Sequence, residues 1–69
     1  MATYEQLNHL GIELKNSDIN TLSIEQLYKI LRRATNAHQT STLKHYAKML
    51  RDGGFIEFEN GLWKIKKGD

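Results

Sequence analysis

Ser41-Thr-Leu-Lys-His-Tyr-Ala-Lys-Met-Leu-Arg-Asp-Gly-Gly-Phe-Ile-Glu-Phe-Glu-Asn-Gly-Leu-Trp-Lys-Ile65 is the stretch that decides the fold. Its first half is periodic. Leu43, Tyr46, Ala47 and Leu50 recur at i, i+3, i+4 and i+7, which puts one apolar stripe along a helix. Ser41 is the expected N-cap, with Thr40 a rival one residue earlier. Gly53-Gly54 supplies the stop. With Gly54 in the left-handed region, Leu50 and Phe55 take the positions whose side chains meet in a Schellman motif. Arg51 in the last turn suits the helix dipole, and Asp52 opposes it. The second half is a hairpin. Asn60-Gly61 tolerates the positive φ that a two-residue type I′ turn requires. That turn sets Glu59 opposite Leu62, Phe58 opposite Trp63, Glu57 opposite Lys64 and Ile56 opposite Ile65. Ile56, Phe58, Trp63 and Ile65 then share one apolar face, which is expected to pack on the helices because an isolated hairpin is marginal in water. Glu57, Glu59, Leu62, Lys64 and Lys66 share the other, where Glu57 and Lys64 form an opposite-charge pair contributing about 0.2–1 kcal/mol.

Working outward, Ser23-Ile24-Glu25-Gln26 reads as a capping box. The helix it opens carries Ile24, Leu27, Tyr28, Leu31 and Ala34 on one stripe, with Glu25 in its first turn and Arg32 and Arg33 in its last. Thr35 to Thr40 joins it to the Ser41 helix, and so short a connector makes the two helices neighbours. Further back, Thr3-Tyr4-Glu5-Gln6 is another capping box. It opens a first helix of about Tyr4–Leu10, with Tyr4, Leu7 and Leu10 buried, Gly11 as the stop and Ile12 returning onto Leu7. A longer helix reaching Leu14 is the alternative, since Leu14 extends the same stripe. Lys15-Asn16-Ser17-Asp18 and Asn20 read as loop. Ile19 and Leu22 are expected in the core, and Thr21-Leu22 as a very short strand on the hairpin edge.

The chain has 69 residues, no cysteine and a net charge of +2. That length suits a single domain, 1–69, with one modest core. The lack of cysteine excludes a disulfide framework and a thiolate metal site. It fits a reducing cytosol, as does the absence of an apolar run behind basic residues at the N-terminus. No stretch reaches the ~18–20 apolar residues of a membrane span. Charge is unevenly placed. Between Gln26 and Arg51 there is no Asp or Glu, while Lys29, Arg32, Arg33, Lys44, Lys48, Arg51, His38 and His45 all fall there; the 8 acids lie outside. Such segregation is what a polyanion-binding surface needs, although a plain solvated basic face has the same composition.

Helix, loop, helix, short turn, helix, glycine stop and hairpin is an order that resembles the winged helix-turn-helix domain of bacterial, archaeal and viral regulators. The resemblance is carried by Ser23-Ile24-Glu25-Gln26-Leu27, by Ser41-Thr42-Leu43, and by Leu50 with Gly54-Phe55-Ile56 leading into the hairpin. It implies an α+β fold of three helices with a C-terminal β-hairpin wing, and a DNA-binding role with the third helix, 41–52, in the major groove. On that reading Ser41, Thr42, His45 and Lys48 face the bases, because they lie opposite the apolar stripe and their donors suit base edges. Lys29, Arg32, Arg33, Gln39, Thr40, Lys44 and Lys64 contact phosphates, which position the protein without reading sequence. Glu57 and Glu59 repel phosphate, so the wing is expected to contribute little, with Lys64, Lys66 and Lys67 offsetting them in part. The implied role is a small transcriptional regulator or a replication or partition accessory. The alternative is a protein-interaction module using the acidic wing or the first helix; in solution a monomer is expected, or a weak homodimer through the first helix.

Other chemistry has little to stand on. His9, His38 and His45 lack metal-ligand spacing, so no metal or other cofactor is expected. No nucleophile sits beside a base and no glycine-rich loop precedes a helix, so no catalytic residue is assigned. Phe58 and Trp63 resemble a stacking platform in composition, but their parity with Ile56 and Ile65 favours core packing. Tyr28 and Tyr46 fall on apolar stripes and are assigned to the core, with their hydroxyls needing partners. Met49 and Leu62 are the apolar residues expected to be exposed.

Overall fold

The computed structural model describes residues 4–67. Six elements follow one another: α1 (Tyr4–Asn16), β1 (Thr21–Leu22), α2 (Ile24–Thr35), α3 (Thr40–Asp52), β2 (Ile56–Glu59) and β3 (Leu62–Ile65). The strands form one antiparallel sheet in the order β1-β3-β2. This α+β layout, three helices closed by an antiparallel hairpin, is consistent with a winged helix-turn-helix.

The hairpin has the register that its turn dictates. Asn60 and Gly61 both take positive φ, 53° and 80°. Ile56 pairs with Ile65, Glu57 with Lys64, Phe58 with Trp63 and Glu59 with Leu62. The short strand at Thr21-Leu22 is also present, pairing Thr21 with Lys64 and Leu22 with Trp63. The Asn20 carbonyl extends that ladder by accepting from the Ile65 N–H at 2.8 Å.

The capping box of α2 is complete. The Gln26 N–H donates to Ser23 Oγ at 3.1 Å, and the Ser23 N–H donates to Gln26 Oε1 at 2.9 Å. At its other end, Asn36 takes a left-handed conformation and donates to the Arg32 carbonyl. The stop of α3 is a Schellman motif. Gly54 has φ +82°, its N–H reaches the Arg51 carbonyl at 3.0 Å, and the Phe55 N–H reaches the Leu50 carbonyl at 3.1 Å. Two orphan carbonyls are thus satisfied, and the chain turns directly into β2.

Both ends of the chain depart from the sequence reading, and each departure has a packing cause. The short first helix is wrong and the longer alternative is nearer: α1 runs through Gly11 and Leu14 to Asn16. Gly11 is not a stop. A Cβ built on it would lie 2.4 Å from Phe55 Cγ, so the glycine makes room for the Phe55 ring. Ile12 is consequently exposed rather than folded onto Leu7. Lys67 closes the end of α1. Its ammonium donates to the carbonyls of Leu14 at 3.2 Å, Lys15 at 3.4 Å and Ser17. A cation at a helix C-terminus satisfies orphan acceptors and opposes the dipole. The expected box at Thr3 lies outside the described residues.

Helix α3 begins earlier than expected. Gln39 is its N-cap and contributes no side-chain cap, so Ser41 sits inside the first turn. The first intrahelical bond is that of the Leu43 N–H to the Gln39 carbonyl.

Leu27, Leu31, Leu43, Leu50 and Ile56 are the largest fully buried side chains, joined by Leu7, Leu10, Leu14, Leu22, Tyr46, Ala47 and Ile65. Several residues placed on buried stripes stay outside. Tyr4 is 69% exposed, Ile24 and Ile19 are exposed, and so is Ala34. Tyr4 and Ile24 stand in the first turns of their helices, at the margin of the packed layer. Tyr28 and Met49 are half-buried against the core.

Gly11→Ala separates these explanations of Gly11. In an open helix interior the change stabilises by about 1 kcal/mol. Against the Phe55 ring it should instead destabilise by about 1–3 kcal/mol, the usual effect of overpacking. Phe55→Leu in the same chain should recover part of the loss. Urea unfolding followed by circular dichroism reads both, and a stabilised Gly11→Ala protein would contradict the contact.

Candidate nucleic-acid interface

Helix α3 buries Leu43, Tyr46, Ala47 and Leu50 and turns its other side to solvent. Ser41, Lys44, His45, Lys48 and Arg51 are exposed, and Thr42 is half-buried beside them. Gln39 and Thr40, at the helix start, are exposed as well. Because Gln39 makes no side-chain cap, the first-turn N–H groups are not taken by a side chain there, and such groups attract anions. Asp52, the one acid on the helix, lies at its far end and is held 3.7 Å from Arg51.

The basic residues of α2 are Lys29, Arg32 and Arg33. All three are exposed. Arg32 borders a depression with Ser23 and Tyr28. Lys29 borders that depression too, and with Arg33 it also borders a groove whose other side is Leu10 and Glu13 of α1. Helical spacing accounts for the split, since Arg32 and Arg33 stand about 100° apart around α2.

The wing carries its charge on one side. Lys64 is on the outer face of the central strand, between Thr21 and Glu57. Glu57 and Lys64 are in register but form no close ion pair; among the described residues the close pairs are His9–Glu13 and Arg51–Asp52. Lys67 donates to the end of α1 and also borders a depression with Glu57 and Lys64, so its charge still lies near the wing acids.

On the inner face the reading of the aromatics needs correction. Ile56 and Ile65 are buried, but Phe58 is 48% exposed and Trp63 only half-buried. Their rings meet edge to face, with centroids 5.0 Å apart and planes at 64°. The pair stands two residues nearer the turn than Ile56 and Ile65, about 7 Å farther along the strands. Trp63 has Leu22 of β1 on its other side, whereas Phe58 is on the edge strand and has no such cover. Leu62 is exposed on the opposite face, as expected.

No group of three or more His, Cys, Asp or Glu side chains among the described residues could hold a metal ion. No helix among them is long and apolar enough to cross a membrane. Comparison with protein-family models, curated proteins and solved structures returns no match for this chain.

Lys44 and Lys48 are exposed and in no close ion pair among the described residues. Their alanine variants should therefore keep wild-type stability within about 0.5 kcal/mol, as surface substitutions do. Thermal melts of both should overlay the wild type. A loss above about 1 kcal/mol would mean that these side chains support the fold.

Proposed function

We propose that this chain is a DNA-binding winged-helix module, serving as a small transcriptional regulator or a replication or partition accessory. The observation that carries the reading is the solvent face of α3. Ser41, His45 and Lys48 are exposed along it, Thr42, Lys44 and Arg51 flank it, and it has no acid before Asp52. A helix presenting donors without carboxylates suits the major groove, where Lys and His can donate to guanine and Ser or Thr to several base edges. Lys44, Arg32, Gln39 and Thr40 would hold phosphates, with the open first turn of α3 as a further anion contact. Lys64 would be a minor contact, set beside Glu57 on the outer face of the wing. Lys29 borders the surface of Arg32 as well as that of Arg33, and Arg33, beside α1, would act on the phosphates at longer range.

A second reading is supported by the wing itself. Phe58 is exposed on the inner face of the hairpin, and Leu62 is exposed on the outer face beside Glu57 and Glu59. Exposed apolar side chains among carboxylates suit a protein partner better than phosphate.

Retention on heparin or on generic duplex DNA at low salt separates the two. The DNA reading expects retention that ~0.3 M salt reverses, because bound cations release condensed counterions. Absence of retention would favour the protein partner. In gel shifts, Lys48→Ala and His45→Ala should change site preference. Arg32→Ala should weaken binding to every sequence by a similar factor. A Lys44→Ala/Lys48→Ala double variant binding DNA as tightly as the wild type would remove α3 from the interface.

A further inference from the structure

Between α1 and α2 runs an open groove of about 600 Å³ that no residue of α3 borders. Leu10, Leu22 and Ile30 give it an apolar lining, Lys29 and Arg33 border it on the α2 side, and Glu13 is its one acid. Glu13 is engaged along its own helix by His9, at 3.2 Å. Lys29 and Arg33 are exposed and in no close ion pair among the described residues. Four residues apart on one helix they are neighbours, and like charges at that spacing repel. Apolar surface thus adjoins a pair of uncompensated cations.

Shape narrows what fits there. The α2 side is built from Gln26, Ile30 and Ala34 with Lys29 and Arg33 between them, a spacing that runs along the helix axis for about 12 Å. A concave strip of that kind takes a convex rod. The backbone of both walls is already bonded within its own helix, so an extended segment laid between them would bury N–H and C=O groups without partners. A helix arrives with its backbone satisfied and needs only an apolar stripe to set between the two walls.

We infer that this groove binds a short amphipathic helix of a partner protein. Its apolar stripe lies on Leu10, Leu22 and Ile30, and Asp or Glu on its flank lies beside Lys29 and Arg33. Those carboxylates relieve the repulsion between the two cations, whereas a basic helix would set like charge against like. The contact is small and of the transient class, and it weakens as salt screens the exposed charges. The free face of α3 stays uncovered. The inference does not rest on the DNA reading, and its measurement contains no DNA.

A displayed library of helix-forming peptides of about 16 residues, long enough to hold a helix, is selected against the whole chain. The binders should carry Asp or Glu beside an apolar stripe. Titrated into isotope-labelled protein, they should shift the signals of Leu10, Ile30 and Ala34. Lys29→Glu/Arg33→Glu should weaken binding at least about tenfold. Exchanging the peptide acids for lysine should abolish binding to the wild type and restore it to that variant. Ala34→Gln, a helix-compatible change at an exposed residue of the groove, should weaken binding without altering charge. Lys44→Ala/Lys48→Ala should bind the peptides as the wild type does, which separates the groove from general attraction to a basic surface. Circular dichroism would establish that each variant is folded. A selection that yields no binder, binders without acids, or binders that keep their affinity for Lys29→Glu/Arg33→Glu overturns the inference. So do the same shifts on concentrating the protein alone, which would make a second copy the occupant, or octanoate binding as tightly as the peptides, which would make it a small apolar anion.

Discussion

The Phe55 ring resting on Gly11 is the contact on which the remaining structure depends. Phe55 follows the left-handed Gly54, so its position is set by how α3 ends. It also precedes β2, so it sets where the hairpin begins. The absent side chain at Gly11 lets α1 approach the ring within a distance that no Cβ would permit. One aromatic side chain thereby ties the first helix, the last helix and the sheet together. A domain of this size has few contacts to spare, and its stability rests on how closely those few are packed.

Around that tie the core is mostly leucine and isoleucine, with Tyr46 and Ala47 from α3. Among the described residues no charged or amide side chain is buried, and no buried side-chain polar atom lacks a hydrogen-bond partner. Polar chemistry is used instead at the ends of elements. Ser23 with Gln26 opens α2, Thr35 Oγ1 donates to the Leu31 carbonyl near its end, and Lys67 closes α1 from fifty residues away. The last of these joins the segment after β3 to the end of the first helix.

Charge sorting on the outside then yields three surfaces of different character. The free face of α3 is basic and carboxylate-free over most of its length. The α1–α2 groove has walls of opposite sign. The wing has carboxylates on its outer face and a partly uncovered aromatic pair on its inner one. Each is a consequence of where the apolar stripes point. Once Leu43, Tyr46, Ala47 and Leu50 face inward, Lys44, His45 and Lys48 have no inward position to take.

The local sequence determined most of what short-range geometry governs, though not the N-cap of α3, which is Gln39 rather than Ser41 or Thr40. Asn60-Gly61 set the hairpin register, Gly54 set the end of α3, Ser23-Gln26 set the start of α2, and helical periodicity set which side of α3 is free. These rest on backbone conformations and hydrogen bonds that close within a few residues. Tertiary structure decided what depends on distant neighbours. Gly11 has the local signature of a helix stop, and only the Phe55 ring turns it into a point of close approach. Phe58 has the parity of a core residue, and only its place on an edge strand leaves it uncovered. Helical spacing points Arg32 and Arg33 about 100° apart, and the packing of α1 beside α2 decides which of them borders α1. Periodicity gives the direction of a side chain from its own element, whereas burial and electrostatic surroundings depend on what the rest of the chain places there.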